Sequence, residues 1–133
     1  MQVVNPAVGD GISNLLLVSG ILTKLHISPE AWSALYTALP SRLSKLQVQD
    51  RLQLRTACMD TRLEEPPELQ RNIDAVVANT KAGRAFVRPS GTQDVVRVYA
   101  EAQTQEEADR LALLVLQAVH KHGGGIGECP QSV

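Results

Sequence analysis

The sequence predicts an α+β domain in which one antiparallel sheet carries two helices on a single face, preceded by a helical segment. Three observations lead there. Residues 84–99 read as strand, polar loop, strand, with apolar β-formers alternating on both sides of a turn cluster built on Pro89, Ser90, Gly91 and Asp94. Two segments of helical periodicity carry start signals, Pro66-Pro67-Glu68 and Thr104-Gln105-Glu106-Glu107. An alternating run near residue 45 comes before both, so the order is strand, helix, strand, strand, helix.

Taken from the start, residues Asp10 to Leu25 form an apolar helical pattern with Ile12, Leu15, Leu16, Ser19 and Leu22 along one stripe. Leu17, Val18, Ile21 and Leu25 lie outside that stripe, so the helix is apolar nearly all round and calls for burial on more than one side. The rest of the chain is too small to cover it. Ser28, Pro29 and Glu30 supply an N-cap, an N1 proline and a first-turn acid for a short helix expected to reach Leu39. Trp32, Leu35, Tyr36 and Leu39 make its apolar face, read as core rather than as a ligand platform, and Pro40 stops it.

Alternation at Leu46, Val48 and Asp50 predicts a strand over 43–50, and Leu52 and Leu54 continue it toward a second short strand near Thr56. Thr56 to Glu65 reads as loop. In the helix opened by Pro66, Leu69, Ile73, Val76 and Val77 share a face, and Gly83 is the expected stop. The last helix opens on a capping box, Thr104 with Glu107, and runs to His122 with Ala108, Leu111, Ala112, Val115, Ala118 and Val119 toward the sheet. His120, Lys121 and His122 suit the negative end of its dipole, which accounts for both histidines without metal binding or general-base work. Gly123 to Gly125 break the helix, and the tail beyond is expected to be poorly ordered.

The hairpin holds what an anion site needs. Arg88 offers a planar fork of donors, Ser90 and Thr92 offer hydroxyls, Gly91 admits close backbone approach, and Arg97 brings a second cation from the next strand. If Arg88 and Val95 are the last paired residues, strand alternation places Arg84, Phe86 and Arg88 on one face with Val95, Arg97 and Tyr99. Ala85, Val87, Val96, Val98 and Ala100 then form the apolar, core-facing side. Two like charges side by side at a hairpin end are costly unless an anion sits between them. The plainer reading is a hairpin with two solvated arginines.

Composition narrows the classes. A formal net charge of −1 and 3% aromatic residues argue against a nucleic-acid binder. The apolar run from Ile12 to Leu25 is interrupted by polar residues and is too short to span a bilayer, and no basic region precedes it as in a secretion signal. Cys58 and Cys129 fit neither a zinc spacing nor a disulfide framework, so free thiols in the cytoplasm are expected.

Arg88-Pro89-Ser90-Gly91-Thr92, followed by Asp94-Val95-Val96-Arg97-Val98-Tyr99-Ala100-Glu101-Ala102, resembles the phosphate-binding loop of the phosphohexomutases, the phosphoglucomutase and phosphomannomutase superfamily. With the tail Gly124 to Glu128, the longer string is most similar to the branch that works on N-acetylglucosamine phosphates. The likeness extends to Asn5-Pro6-Ala7-Val8-Gly9-Asp10, while Gln93 departs from the glutamate usual after the threonine. The resemblance implies a last domain with a fold similar to the TATA-box-binding protein, in 28–133, and a helical remnant of the preceding domain in 1–27. It also implies that Arg88, Pro89, Ser90, Gly91, Thr92 and Arg97 hold the substrate phosphate. Magnesium and the phosphoserine would belong to upstream mutase domains in cis, because no T-A-S-H-N-P-like, D-G-D-x-D-R or G-E-x-x-G-H loop occurs in these residues. Such a chain alone would be inactive and would bind no metal. A free-standing phosphosugar-binding module, the same domain of a glucose or mannose phosphomutase, and an interaction domain with an empty loop are the alternatives.

Overall fold

The computed structural model describes residues 10–133; the Asn5 to Gly9 part of the resemblance lies outside them. The chain divides into two compact units, Met1–Ala38 and Leu39–Val133. The first contains helix α1 (Gly11–Leu25) and a short helix α2 (Pro29–Ser33). Asp10 caps α1 by accepting from the amides of Ile12 and Ser13, and no residue of α1 is buried, as its all-round apolar pattern foretells for an uncovered helix. Ser28 caps α2 as expected, but the helix spans one turn only and does not reach Leu39. The reading of its apolar face as core is corrected: Leu35 is 67% and Tyr36 77% exposed. One turn is too short to present a stripe, so those side chains fall beyond the helix.

The second unit holds strands β1 (Ser41–Gln47), β2 (Arg55–Ala57), β3 (Arg62–Glu65), β4 (Arg84–Pro89) and β5 (Val95–Glu101), with helices α3 (Pro67–Ala78) and α4 (Gln105–His122). Strands β1, β5 and β4 form an antiparallel sheet in that order, so the hairpin's second strand is central. Val87, Val96, Val98 and Ala100 on its inner face pack with Leu69 and Ile73 of α3 and with Leu111, Ala112, Val115, Leu116 and Val119 of α4. Both helices therefore cover one face, and the α+β architecture stands.

Four local expectations are corrected. The 56–65 segment is not loop: β2 and β3 form a second, two-stranded antiparallel sheet. Its one buried apolar residue, Leu63, is too little for a periodic signal, and the pairing gains from Gln70, which accepts from the Leu63 amide at 2.7 Å. Strand β1 runs from Ser41 to Gln47 rather than 43–50, and a 3₁₀ turn at Arg51–Gln53 leads to β2. Helix α3 ends at Ala78, before Gly83, because Asn79 and Thr80 donate from their side chains to the carbonyls of Ala75 and Val76 and compete for the helix ladder. Finally, the tail returns to the sheet. The Gln49 amide donates to Gly124, the Ile126 amide donates to Gln47, and His120 Nε2 lies 3.0 Å from the Gly127 oxygen.

Two ion pairs brace this unit, one between sheet and helix and one within the sheet. Arg42 of β1 reaches Asp109 of α4 with two hydrogen bonds, at 2.7 and 2.9 Å. Glu101 accepts from Tyr99 and pairs with Arg84 at 2.9 Å. The Arg42 guanidinium first, then Gln105, holds the Asp109 carboxyl below its usual range; Tyr99 first, then Arg84, does so for Glu101. A carboxyl lowered in the folded state stabilises above its unfolded pKa of about 4 and loses that contribution as pH falls through its folded value. The melting temperature is therefore expected to hold from pH 7 to about 5 and to drop below about 4. Asp109→Asn should be less stable at neutral pH yet lose less on acidification, as a thermal melt at each pH would record.

Candidate functional site

The hairpin loop is closed by its own backbone: the Ser90 amide donates to the Val95 carbonyl at 2.8 Å, and the Val95 amide to Gln93. Pairing runs one residue further along β4 than expected, to Pro89 opposite Val96, and Arg88 stands directly opposite Arg97. Proline is tolerated there because β4 lies at the edge of its sheet, where the missing N–H costs no ladder bond. The change of register is even, so the shared face survives. Arg88 and Arg97 are both exposed on the side away from the helices, beyond the stacked rings of Phe86 and Tyr99, whose centroids are 4.9 Å apart.

The structure brings Arg88, Arg97 and the Pro89–Thr92 loop to one end of the outer face. Pro89 and Ser90 are half-buried and give the loop a fixed base, while Gly91 and Thr92 are exposed. Among the described residues, the hydroxyls of Ser90 and Thr92 make no hydrogen bond and Arg97 has no ion-pair partner. Gly91 has neither a positive φ nor a neighbour within 4 Å of where a Cβ would stand. Among the described residues nothing asks for glycine at that position, so the main chain there is open on its outer side.

Three further residues meet the loop or stand beside its arginines and were not singled out from the sequence. Arg51, in the 3₁₀ turn, donates to the Gly91 carbonyl at 3.2 Å and pairs with Asp94 at 3.4 Å, pinning both ends of the loop tip. Asp60 reaches Arg88 at 3.3 Å from the β2–β3 turn, where it also accepts from the Thr56 hydroxyl. That turn holds Cys58, Met59 and Asp60 with φ of 53°, 57° and 62°. Three consecutive side-chain-bearing residues in the left-handed region are costly, and the outcome is a carboxylate aimed at the loop arginine. Lys45 on β1 is paired with Arg97, so it lies on the same face. Each comes from an element distant in sequence, Lys45 through strand pairing and Arg51 and Asp60 through side-chain contacts from turns. Cys58 and Cys129 are free and exposed.

Chemically, the arrangement gathers two guanidinium groups, two uncommitted hydroxyls and open main chain around a short loop, a donor set suited to a tetrahedral anion. No three His, Cys, Asp or Glu side chains converge among the described residues. Nor is any described helix long and apolar enough to cross a membrane.

Comparison with known proteins agrees in both sequence and fold. Residues 43–118 match the family model of the phosphoglucomutase/phosphomannomutase C-terminal domain. The chain is 50% identical over 127 residues to phosphoacetylglucosamine mutase of Homo sapiens and 49% identical over 127 residues to that of Sus scrofa, in each case covering 96% of this chain and 23% of the relative. Among solved structures, the N-acetylphosphoglucosamine mutase of Aspergillus fumigatus, in complex with GlcNAc-6P and magnesium, superposes with a TM-score of 0.78 at 47% identity, over 90% of this chain and 22% of that one. The chain thus spans less than a quarter of the relatives it matches. It belongs to the family of phosphoglucomutase/phosphomannomutase C-terminal domains.

Proposed function

We propose that this chain is the substrate-phosphate-recognition domain of a phosphoacetylglucosamine mutase, an isomerase that interconverts N-acetylglucosamine 6-phosphate and 1-phosphate for UDP-N-acetylglucosamine synthesis in the cytoplasm. Residues 28–133 form the recognition domain, and residues 1–27 are the end of the domain before it. The observation that supports the proposal is the direct opposition of Arg88 and Arg97 beside a loop whose hydroxyls have no partner among the described residues and whose glycine has open space where a Cβ would stand. Arg88 holds the phosphoryl oxygens with its fork, Arg97 adds a second charge, Ser90 and Thr92 donate hydroxyls, and the Gly91 main chain closes the cradle on its Pro89 base.

The role of these residues is positioning. Phosphoryl transfer asks for little covalent help from the protein, so orientation of the sugar supplies much of the acceleration. Each charge-assisted hydrogen bond contributes about 1.5–3 kcal/mol, enough for a few of them to orient a dianion without trapping it between half-reactions. The phosphoserine and magnesium belong to mutase domains in cis, and no step through the metal falls to residues of this chain.

An amide NMR titration with N-acetylglucosamine 6-phosphate tests the proposal. Saturable shifts concentrated at Arg88–Thr92 and Arg97 are expected, with no turnover of the sugar phosphate by this chain alone. Shifts scattered elsewhere, or none at millimolar ligand, would leave only an interaction domain; turnover would place the chemistry in this chain.

A further inference from the structure

We propose that Lys45 is a third cationic ligand of the anion site, so that the phosphoryl dianion is received by a line of charge crossing the whole sheet rather than by the hairpin alone. The proposal rests on the reading of Arg88–Thr92 and Arg97 as a phosphate site and adds a residue from a different strand. Its basis is register. Arg97 on the central strand has Arg88 as its partner on β4 and Lys45 as its partner on β1, and directly opposed residues share a face. Three cations therefore stand in one row, each strand about 4.8 Å from the next. All three are exposed, and the rows on either side carry no such stack: Leu43, Tyr99 and Phe86 make up one, Gln47 and Val95 the other on the loop side.

Like charges set directly opposite are destabilising, and Arg97 is flanked on both sides. Among the described residues, Asp60 is the carboxylate that meets this row, and it meets Arg88 at the far edge. Lys45 and Arg97 have no ion-pair partner among the described residues. Three cations and one carboxylate leave two positive charges, the complement of a phosphomonoester near neutral pH, which carries about −1.5 to −2. The space beside Lys45 is shaped as well. A hollow of about 280 Å³ is lined by Lys45, Gln47, Gln93 and Val95, so β1 and the loop enclose it together. Gln93 brings a neutral amide to that hollow, so it sets no negative charge against Lys45. The lysine stem spans one strand spacing, so its ammonium reaches the oxygens of an anion held over Arg97.

The test is a titration of the full chain with inorganic phosphate at pH 7.5, followed by the side-chain 13Cε signal of Lys45 and the amides of the loop. The Lys45 signal is expected to shift with the same saturation curve as the loop amides. Lys45→Met should weaken phosphate binding about three- to tenfold, with Lys45→Arg within about twofold of the parent; Lys45→Arg should melt with the parent, and Lys45→Met at or slightly above it, since it removes a like charge from beside Arg97. A Lys45 signal that stays still while the loop saturates, or unchanged binding in Lys45→Met, overturns the role of Lys45 while the phosphate site stands. If Arg88→Ala binds phosphate as well as the parent in the same titration, the site itself is refuted.

Discussion

Replacing Arg88 with alanine is expected to lower affinity for N-acetylglucosamine 6-phosphate by more than about tenfold and to leave the fold in place. The side chain is exposed and its one ionic partner among the described residues, Asp60, is half-buried at the turn, so truncation removes no core packing. An exposed pair of this kind contributes about 0–1 kcal/mol, a change of at most about 8 °C in melting temperature. Binding loses far more, because the fork supplies two parallel donors to one phosphoryl group and alanine supplies none. Ser90→Ala should cost less, since a neutral hydroxyl contributes about 1 kcal/mol. Asp60→Asn separates the two roles of the arginine. If Asp60 is a counter-ion that the ligand displaces, the variant binds as tightly as the parent or a few times tighter; if it binds worse, Asp60 is what aims the guanidinium. Calorimetric titration and a thermal melt of the same samples read both quantities. An Arg88→Ala chain that fails to fold would make the arginine structural.

How much of this was legible in the sequence follows from the range of the interactions involved. The hairpin was legible because alternation survives an error of register: moving Arg88 from opposite Val95 to opposite Arg97 is an even step and leaves every side chain on its face. The final helix was legible because its cap is local: Thr104 accepts from the Glu107 amide, one half of the capping box, while the Glu107 carboxylate takes the Thr104 hydroxyl rather than its amide. The β2–β3 pair was hidden, since Leu63 is its one buried apolar residue and its support comes from Gln70 on another element. The tail was hidden for a like reason. Three glycines argue for disorder locally, yet the Gly124 carbonyl and the Ile126 amide find partners on Gln49 and Gln47. Within the site, the residues of one hairpin could be named in advance, whereas Lys45, Arg51 and Asp60 arrive from elements separated from the loop by long stretches of chain. Periodicity says which face a strand residue occupies, but not which strand lies beside it.

The second large effect belongs to the layer beneath the site. Leu111, 1% exposed on α4, packs in the cluster that also holds Val96 and Val98, the neighbours of Arg97 on the opposite face of β5. Leu111→Ala is expected to cost about 2–5 kcal/mol through lost transfer energy and the cavity left behind. For a domain of this size each kcal/mol lowers the melting temperature by about 4–8 °C, so the variant should melt well over ten degrees lower. Whatever fraction remains folded should bind phosphate as the parent does, since strand register is fixed by pairing along the sheet rather than by one helix side chain. The two substitutions are thus expected to move opposite observables, Arg88→Ala the affinity and Leu111→Ala the melt. Urea unfolding with and without phosphate distinguishes them: the parent and Leu111→Ala should both be stabilised by added phosphate, and Arg88→Ala should not. A Leu111→Ala chain that unfolds at the parent midpoint would mean that α4 does not close the core over the strand carrying Arg97, and the face assigned to the anion would lose its support.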